Sequence, residues 1–220
     1  MEELKILLEN PFNDYQKDDL VGFQGKCAEI AKKLFENYCI NCNGKKFYFA
    51  EIEFYYWQKD KWNDKWNKVT YARDGYNAGD LFFHLSGVDI CFDSTFDKNN
   101  GFKNPHFGGI LIRSIIDTDN KIISGPLNCK DVFLNTCKGG EMPKLDKQSG
   151  NRNLSIEATY RSLGKTDMER NIDSGLNLCF FDINYRDEMN PDKEWFNKEK
   201  GEIEKRKGTY NTKKFNVNKN

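Results

Sequence analysis

Lys46-Phe-Tyr-Phe-Ala-Glu-Ile-Glu-Phe-Tyr-Tyr-Trp57 is the stretch that decides the fold. It is dense in aromatic and β-branched residues and contains neither Gly nor Pro, so it reads as a strand. Side chains alternate across a strand. Ala50, Ile52 and Phe54 therefore share one face, and Glu51, Glu53, Tyr55 and Trp57 share the other. The ordinary explanation is an apolar face turned inward and a solvated face turned outward. Yet the second face sets acids among large aromatics, which suggests a pocket where a carboxylate could act as a general base. The residue pattern alone leans slightly to the first reading.

A second apolar run, Phe107-Gly-Gly-Ile-Leu-Ile-Arg-Ser-Ile-Ile116, reads as a central strand. Arg113 sits inside it, and Arg is almost never fully buried without a partner. Glu53 or Asp93 could supply that partner, as could an anionic ligand or a catalytic water that the Arg orients. Leu81 to Asp93 reads as two strands interrupted near Ser86-Gly87. His84 alternates there with Phe82 and Ser86. It is expected to be a satisfied core residue or a ring that stacks on a flat ligand. Asp89, Cys91 and Asp93 alternate and are expected to share a face.

Outward from these strands, Leu20, Phe23, Cys27, Ile30, Ala31, Leu34, Phe35 and Tyr38 recur at helical spacing. They predict an amphipathic helix over about 17–38, capped by Asn13 or Asp14. Asn41 to Gly44 is expected to turn the chain, and 58–67 and 97–105 read as loops. A turn at 117–120 leads into a strand at 121–123. Gly125-Pro126 precedes a helical stretch at 128–137. Residues 138–153 read as a polar loop, and 155–161 and 176–184 as later strands. The expected fold is a single α+β domain over 1–195, a mostly antiparallel sheet or partial barrel with peripheral helices.

The 220 residues carry 34 Lys+Arg and 34 Asp+Glu, a net charge of zero. That balance excludes a strongly basic protein that attracts phosphates by its bulk field. The charge is nevertheless uneven. Residues 196–220 hold eight Lys+Arg and three Glu, net +5, and read as a basic tail of low hydrophobicity that is expected to be mobile. Such a tail could supply phosphate contacts. The hydrophobic fraction is only 38%, but 17 Phe, 10 Tyr and 4 Trp supply enough apolar area for a sizeable core.

Seven Cys, an odd number, and an acidic N-terminus predict reduced thiols in a cytoplasmic protein with no membrane span. Cys39-Ile-Asn-Cys42 is a CxxC, but no second pair follows at zinc spacing. No metal and no cofactor are expected, and the two thiols read as incidental.

The order of these pieces resembles the alkyladenine (3-methyladenine) DNA glycosylase family. The segments that carry the likeness are Ala31-Lys-Lys-Leu-Phe35, Glu51-Ile-Glu-Phe-Tyr55, Ala78-Gly79 leading into Leu81 to Gly87, Cys91-Phe-Asp93, Leu111-Ile-Arg-Ser114 and Gly125-Pro126. They are collinear over roughly residues 20–135. The resemblance implies hydrolysis of an N-glycosidic bond of a modified base extruded from DNA, without a metal. It assigns Glu53 as general base and Arg113 as the cation that positions the water. Tyr55 and His84 would stack on the base, with Glu51 beside them, and Asp93 would stand where the family screens purine edges. Two features differ from the family. No His lies between Trp57 and Asn77, and Ser86 stands where a Tyr enters the duplex. A single strand or a free nucleoside or nucleotide is then an alternative partner, and a non-catalytic ligand-binding module an alternative function.

Overall fold

The computed structural model describes residues 2–12, 14–15, 19–58, 76–94, 96–97, 101–102, 106–148, 157–161, 179–182 and 210–216. They form an α+β domain built on a curled antiparallel sheet with few helices. The helices are α1 (Glu2–Glu9), α2 (Leu20–Asn37) and α3 (Pro126–Thr136). The strands are β1 (Tyr38–Cys42), β2 (Lys45–Gln58), β3 (Leu81–His84), β4 (Gly87–Cys91), β5 (Phe96–Asp97), β6 (Gly101–Phe102), β7 (His106–Asp117), β8 (Ile122–Ser124), β9 (Lys144–Lys147), β10 (Glu157–Arg161), β11 (Cys179–Asp182) and β12 (Tyr210–Asn216).

The main path of the sheet runs β12-β10-β11-β2-β7-β4-β3. β1 joins the free end of β2 and carries β9, and β8 joins β7. Every residue of β7 is buried, so this strand is the centre that its apolar sequence called for. Helix α2 covers the face of β2 that carries Ile52, Phe54 and Tyr56. Phe12 and Phe23 stack there at 4.1 Å, and Phe12 meets Tyr56 edge-on at 4.4 Å. Aromatic pairs at such distances add to the area they bury, which offsets the modest aliphatic content of the chain. On the opposite face, α3 lays Phe133 against Phe47 at 5.5 Å.

Several boundaries differ from the sequence expectation. Helix α2 is capped by Asp19, whose Oδ1 accepts from Gly22 N at 2.8 Å, not by Asp14; Asn13 lies outside the described residues. The helix stops at Asn37, and Tyr38 already has extended geometry. Its apolar spacing runs on into β1, so periodicity alone places the end one residue late. Asn43 and Gly44, with φ of 51° and 84°, make the two-residue hairpin turn that joins β1 to β2. The 138–153 stretch is not only loop, because Lys144–Lys147 forms β9 against β1. Within the basic 196–220 stretch, Tyr210–Asn216 forms β12 against β10. Ladder bonds use backbone groups, so a polar segment can pair with a strand edge without an apolar signature. The rest of that stretch, and most of the loops at 58–67 and 97–105, lie outside the described residues.

Candidate functional site

The site is set by an irregularity where β2 meets β7. Phe49 pairs with Ile115, Glu51 with Ser114 and Ile52 with Ile112. The ladder therefore skips Ala50 on one strand and Arg113 on the other, and then resumes its register with Glu53 opposite Leu111. Such bulges re-aim side chains and recur beside functional sites. Here they bring one guanidinium between two carboxylates. Arg113 Nη1 donates to Glu53 Oε2 at 2.6 Å, and Arg113 Nε lies 3.4 Å from Glu51 Oε1. Ser114 Oγ donates to the other Glu51 oxygen at 2.9 Å and lies 3.3 Å from Ser124 Oγ. Glu53 is 0% exposed, Glu51 2% and Arg113 6%.

Pairing across the sheet extends this face. Glu53, Leu111, Asp89 and Phe82 follow one another across β2, β7, β4 and β3. Tyr55 lies one step along, opposite Gly109, and is buried. Gly109 leaves the room that Asp89 needs, since a Cβ there would lie 2.9 Å from Asp89 Cβ. At the outer strand, His84 stacks on Phe82 with ring centroids 5.5 Å apart. Its Nε2 is 3.5 Å from Asp89 Oδ1, and its Nδ1 is 3.2 Å from Ser86 Oγ.

Of the residues singled out from the sequence, Glu51, Glu53 and Arg113 thus meet directly. Tyr55 and His84 lie on the same face. Asp93 does not join them. The alternation with Asp89 and Cys91 ends because β4 ends at Cys91 and the chain then turns away. Phe92 N donates to Gly108 O, and Asp93 N to Leu8 O at 3.1 Å. Asp93 instead acts electrostatically on His106, on the α1 side of the sheet. Ser114 and Asp89 are the members that residue pattern did not assign. Asp89 had a signal, a carboxylate within an apolar strand. Ser114 had none, because a small hydroxyl is common on any strand.

The CxxC does not act as a pair. Cys39 and Cys42 lie three apart on a strand, hence on opposite faces. Burial pushes the Cys39 thiol up to about 11, and Cys42 is raised further, by burial and by its contact with Cys137. Among the described residues, no group of three or more His, Cys, Asp or Glu is placed to hold a metal ion. Nor is any described helix long and apolar enough to cross a membrane. No protein-family model, no curated protein and no solved structure matches the chain.

Proposed function

We propose that the chain hydrolyses an N-glycosidic bond of a modified base, in DNA or in a nucleoside, with Glu53 as the general base. The observation that carries this reading is the 2.6 Å pair between Glu53 and Arg113 at the centre of the sheet, on the same face as Tyr55. Breaking a C1′–N bond builds positive charge on the sugar. Two carboxylates against one guanidinium leave the cluster with a formal charge of −1, which favours that charge where the dielectric is low. Arg113 orients the Glu53 carboxylate toward a water, and Glu51 and Ser114 hold Arg113 and each other in place. Tyr55 and the His84–Phe82 stack offer flat surfaces to a base.

The experiment is release of free base from alkylated and deaminated DNA, duplex and single-stranded, and from the matching nucleosides. Wild type is expected to release base, and Glu53→Gln to lose on the order of 10²-fold or more. Equal rates in the two proteins, or no release by either across the panel, would overturn the reading.

The burial of Glu53 favours one second reading, a binding module that uses the same face without turnover. A nucleoside that raises the melting temperature and is recovered intact would select it.

A further inference from the structure

The turn between β3 and β4 holds a second cluster, at the rim of the same sheet face. It brings together a hydroxyl, an imidazole and a carboxylate in a graded sequence of exposure. Ser86 is exposed, His84 is half-buried and Asp89 is 0% exposed. Asp89 Oδ1 stands 3.5 Å from His84 Nε2, and Ser86 Oγ stands 3.2 Å from His84 Nδ1. A buried carboxylate beside one ring nitrogen favours the tautomer that carries its proton there. The lone pair is then left on Nδ1, facing the serine hydroxyl. Stacking on Phe82 holds the ring in that plane.

We propose that Ser86, His84 and Asp89 form a nucleophilic relay that hydrolyses short acyl esters. It needs nothing from Glu53 or Arg113. Ser86 Oγ bonds to the acyl carbon as its proton passes to His84 Nδ1. The bond from that carbon to the leaving oxygen then breaks, and the proton on His84 goes to the departing alkoxide. A water repeats both steps on the acyl-serine and releases the acid, returning Ser86 to its hydroxyl form. Asp89 stabilises the imidazolium that forms between steps.

Positive charge for the oxyanion is close by. Lys130 Nζ donates to the carbonyls of His84 at 3.1 Å and Leu85 at 2.7 Å, so an ammonium sits on the turn itself. The N-terminus of α3 abuts the residue after the serine: a Cβ on Gly87 would lie 2.9 Å from Pro126 Cβ. That helix end has no side-chain cap, and helix N-termini favour negative charge. Leu85, 91% exposed, marks the turn as accessible to substrate.

The test is covalent labelling of the full chain with a fluorophosphonate, read by intact mass and peptide mapping, alongside hydrolysis of p-nitrophenyl acetate. Attack by Ser86 forms the P–O bond and expels fluoride, with the proton leaving through His84. One adduct on Ser86 is expected in native protein and none after heat denaturation. Ser86→Ala should abolish it, and His84→Gln should slow labelling and ester turnover by about 10²-fold or more. Ser86 is exposed in a turn, so an unchanged melting temperature for Ser86→Ala shows that the loss is chemical. No adduct on Ser86 in native protein, or ester turnover that survives Ser86→Ala, would overturn the proposal.

Discussion

The Arg113 guanidinium and the Glu53 carboxylate meet at 2.6 Å in the interior of the sheet, on strands sixty residues apart in the chain. With Glu51 alongside, the arrangement is an Arg held by two acids. Removing one member of such a group leaves charge without compensation in the interior. Arg113→Met should therefore destabilise the fold by about 3–5 kcal/mol, because two buried carboxylates lose their cation. Glu53→Gln keeps an oxygen acceptor and leaves Glu51 beside Arg113, so its cost should be clearly smaller. Urea unfolding of the three proteins measures both. A loss under about 1 kcal/mol for Arg113→Met would mean that the pair contributes little to holding the sheet.

The close approach of β2 and β7 at Gly108 makes a second prediction. A Cβ on that residue would run into the Tyr55 carbonyl oxygen and lie 2.7 Å from Phe92 Cδ2. Both obstacles are fixed, one as backbone and the other as a ring packed in the core. Gly108→Ala should cost about 1–3 kcal/mol through overpacking. Gly25→Ala is the control, since nothing lies within 4 Å of a Cβ there and Gly25 is inside helix α2. It should be neutral or stabilising, because Ala is the better helix former. Melting temperatures that fall equally in both variants would contradict the steric account.

These relations were legible in the sequence to different depths. An Arg inside Ile110-Leu-Ile-Arg-Ser-Ile-Ile116 needs a partner, and the sequence leaves Glu53, Asp93 or an anionic ligand open, so the pairing with Glu53 is legible only as one of these alternatives. The paired bulges are not legible, because neither Ala50 nor Arg113 is a residue type that marks an extra position in a ladder, as Gly does. Asp93 shows the limit of alternation. It continues the period of Asp89 and Cys91, but the strand ends first, and only the hydrogen bond of Asp93 N to Leu8 O reveals where the chain goes. Strands β9 and β12 stayed hidden because their pairing is a backbone matter, with no apolar run to announce it.

The start of helix α2 is a place where local chemistry can be tested directly. Asp19 accepts from Gly22 N at 2.8 Å, which satisfies one of the amides that a helix leaves unpaired at its first turn. Asp19→Ala should cost about 1 kcal/mol, and Asp19→Ser only a fraction of that. Asp14→Ala, at a residue that does not cap α2, should be nearly silent. Urea midpoints in the reverse order would move the cap back toward the position that the sequence suggested.

His106 makes the fold sensitive to acid. It opens β7, is 0% exposed, and lies against Tyr56 with ring centroids 5.6 Å apart. Burial pushes its pKa down, opposed by the Asp93 carboxylate and by the nearby backbone of Glu9 and Asp93. In the unfolded chain the imidazole takes up a proton below about pH 6.5. The folded protein resists that proton until the pH is lower. Between the two values the unfolded state binds more protons, so stability falls as the pH falls, by at most about 1.4 kcal/mol per pH unit for this one group. Above pH 6.5 neither state is protonated and the effect vanishes. Urea midpoints for wild type and His106→Gln at pH 7.5, 6.5, 5.5 and 5.0 separate this residue from His84, which both proteins retain. Wild type should lose more stability than the variant between about pH 6.5 and 5, with the two curves running parallel above that window. Parallel curves throughout would mean that His106 is not held neutral by its burial.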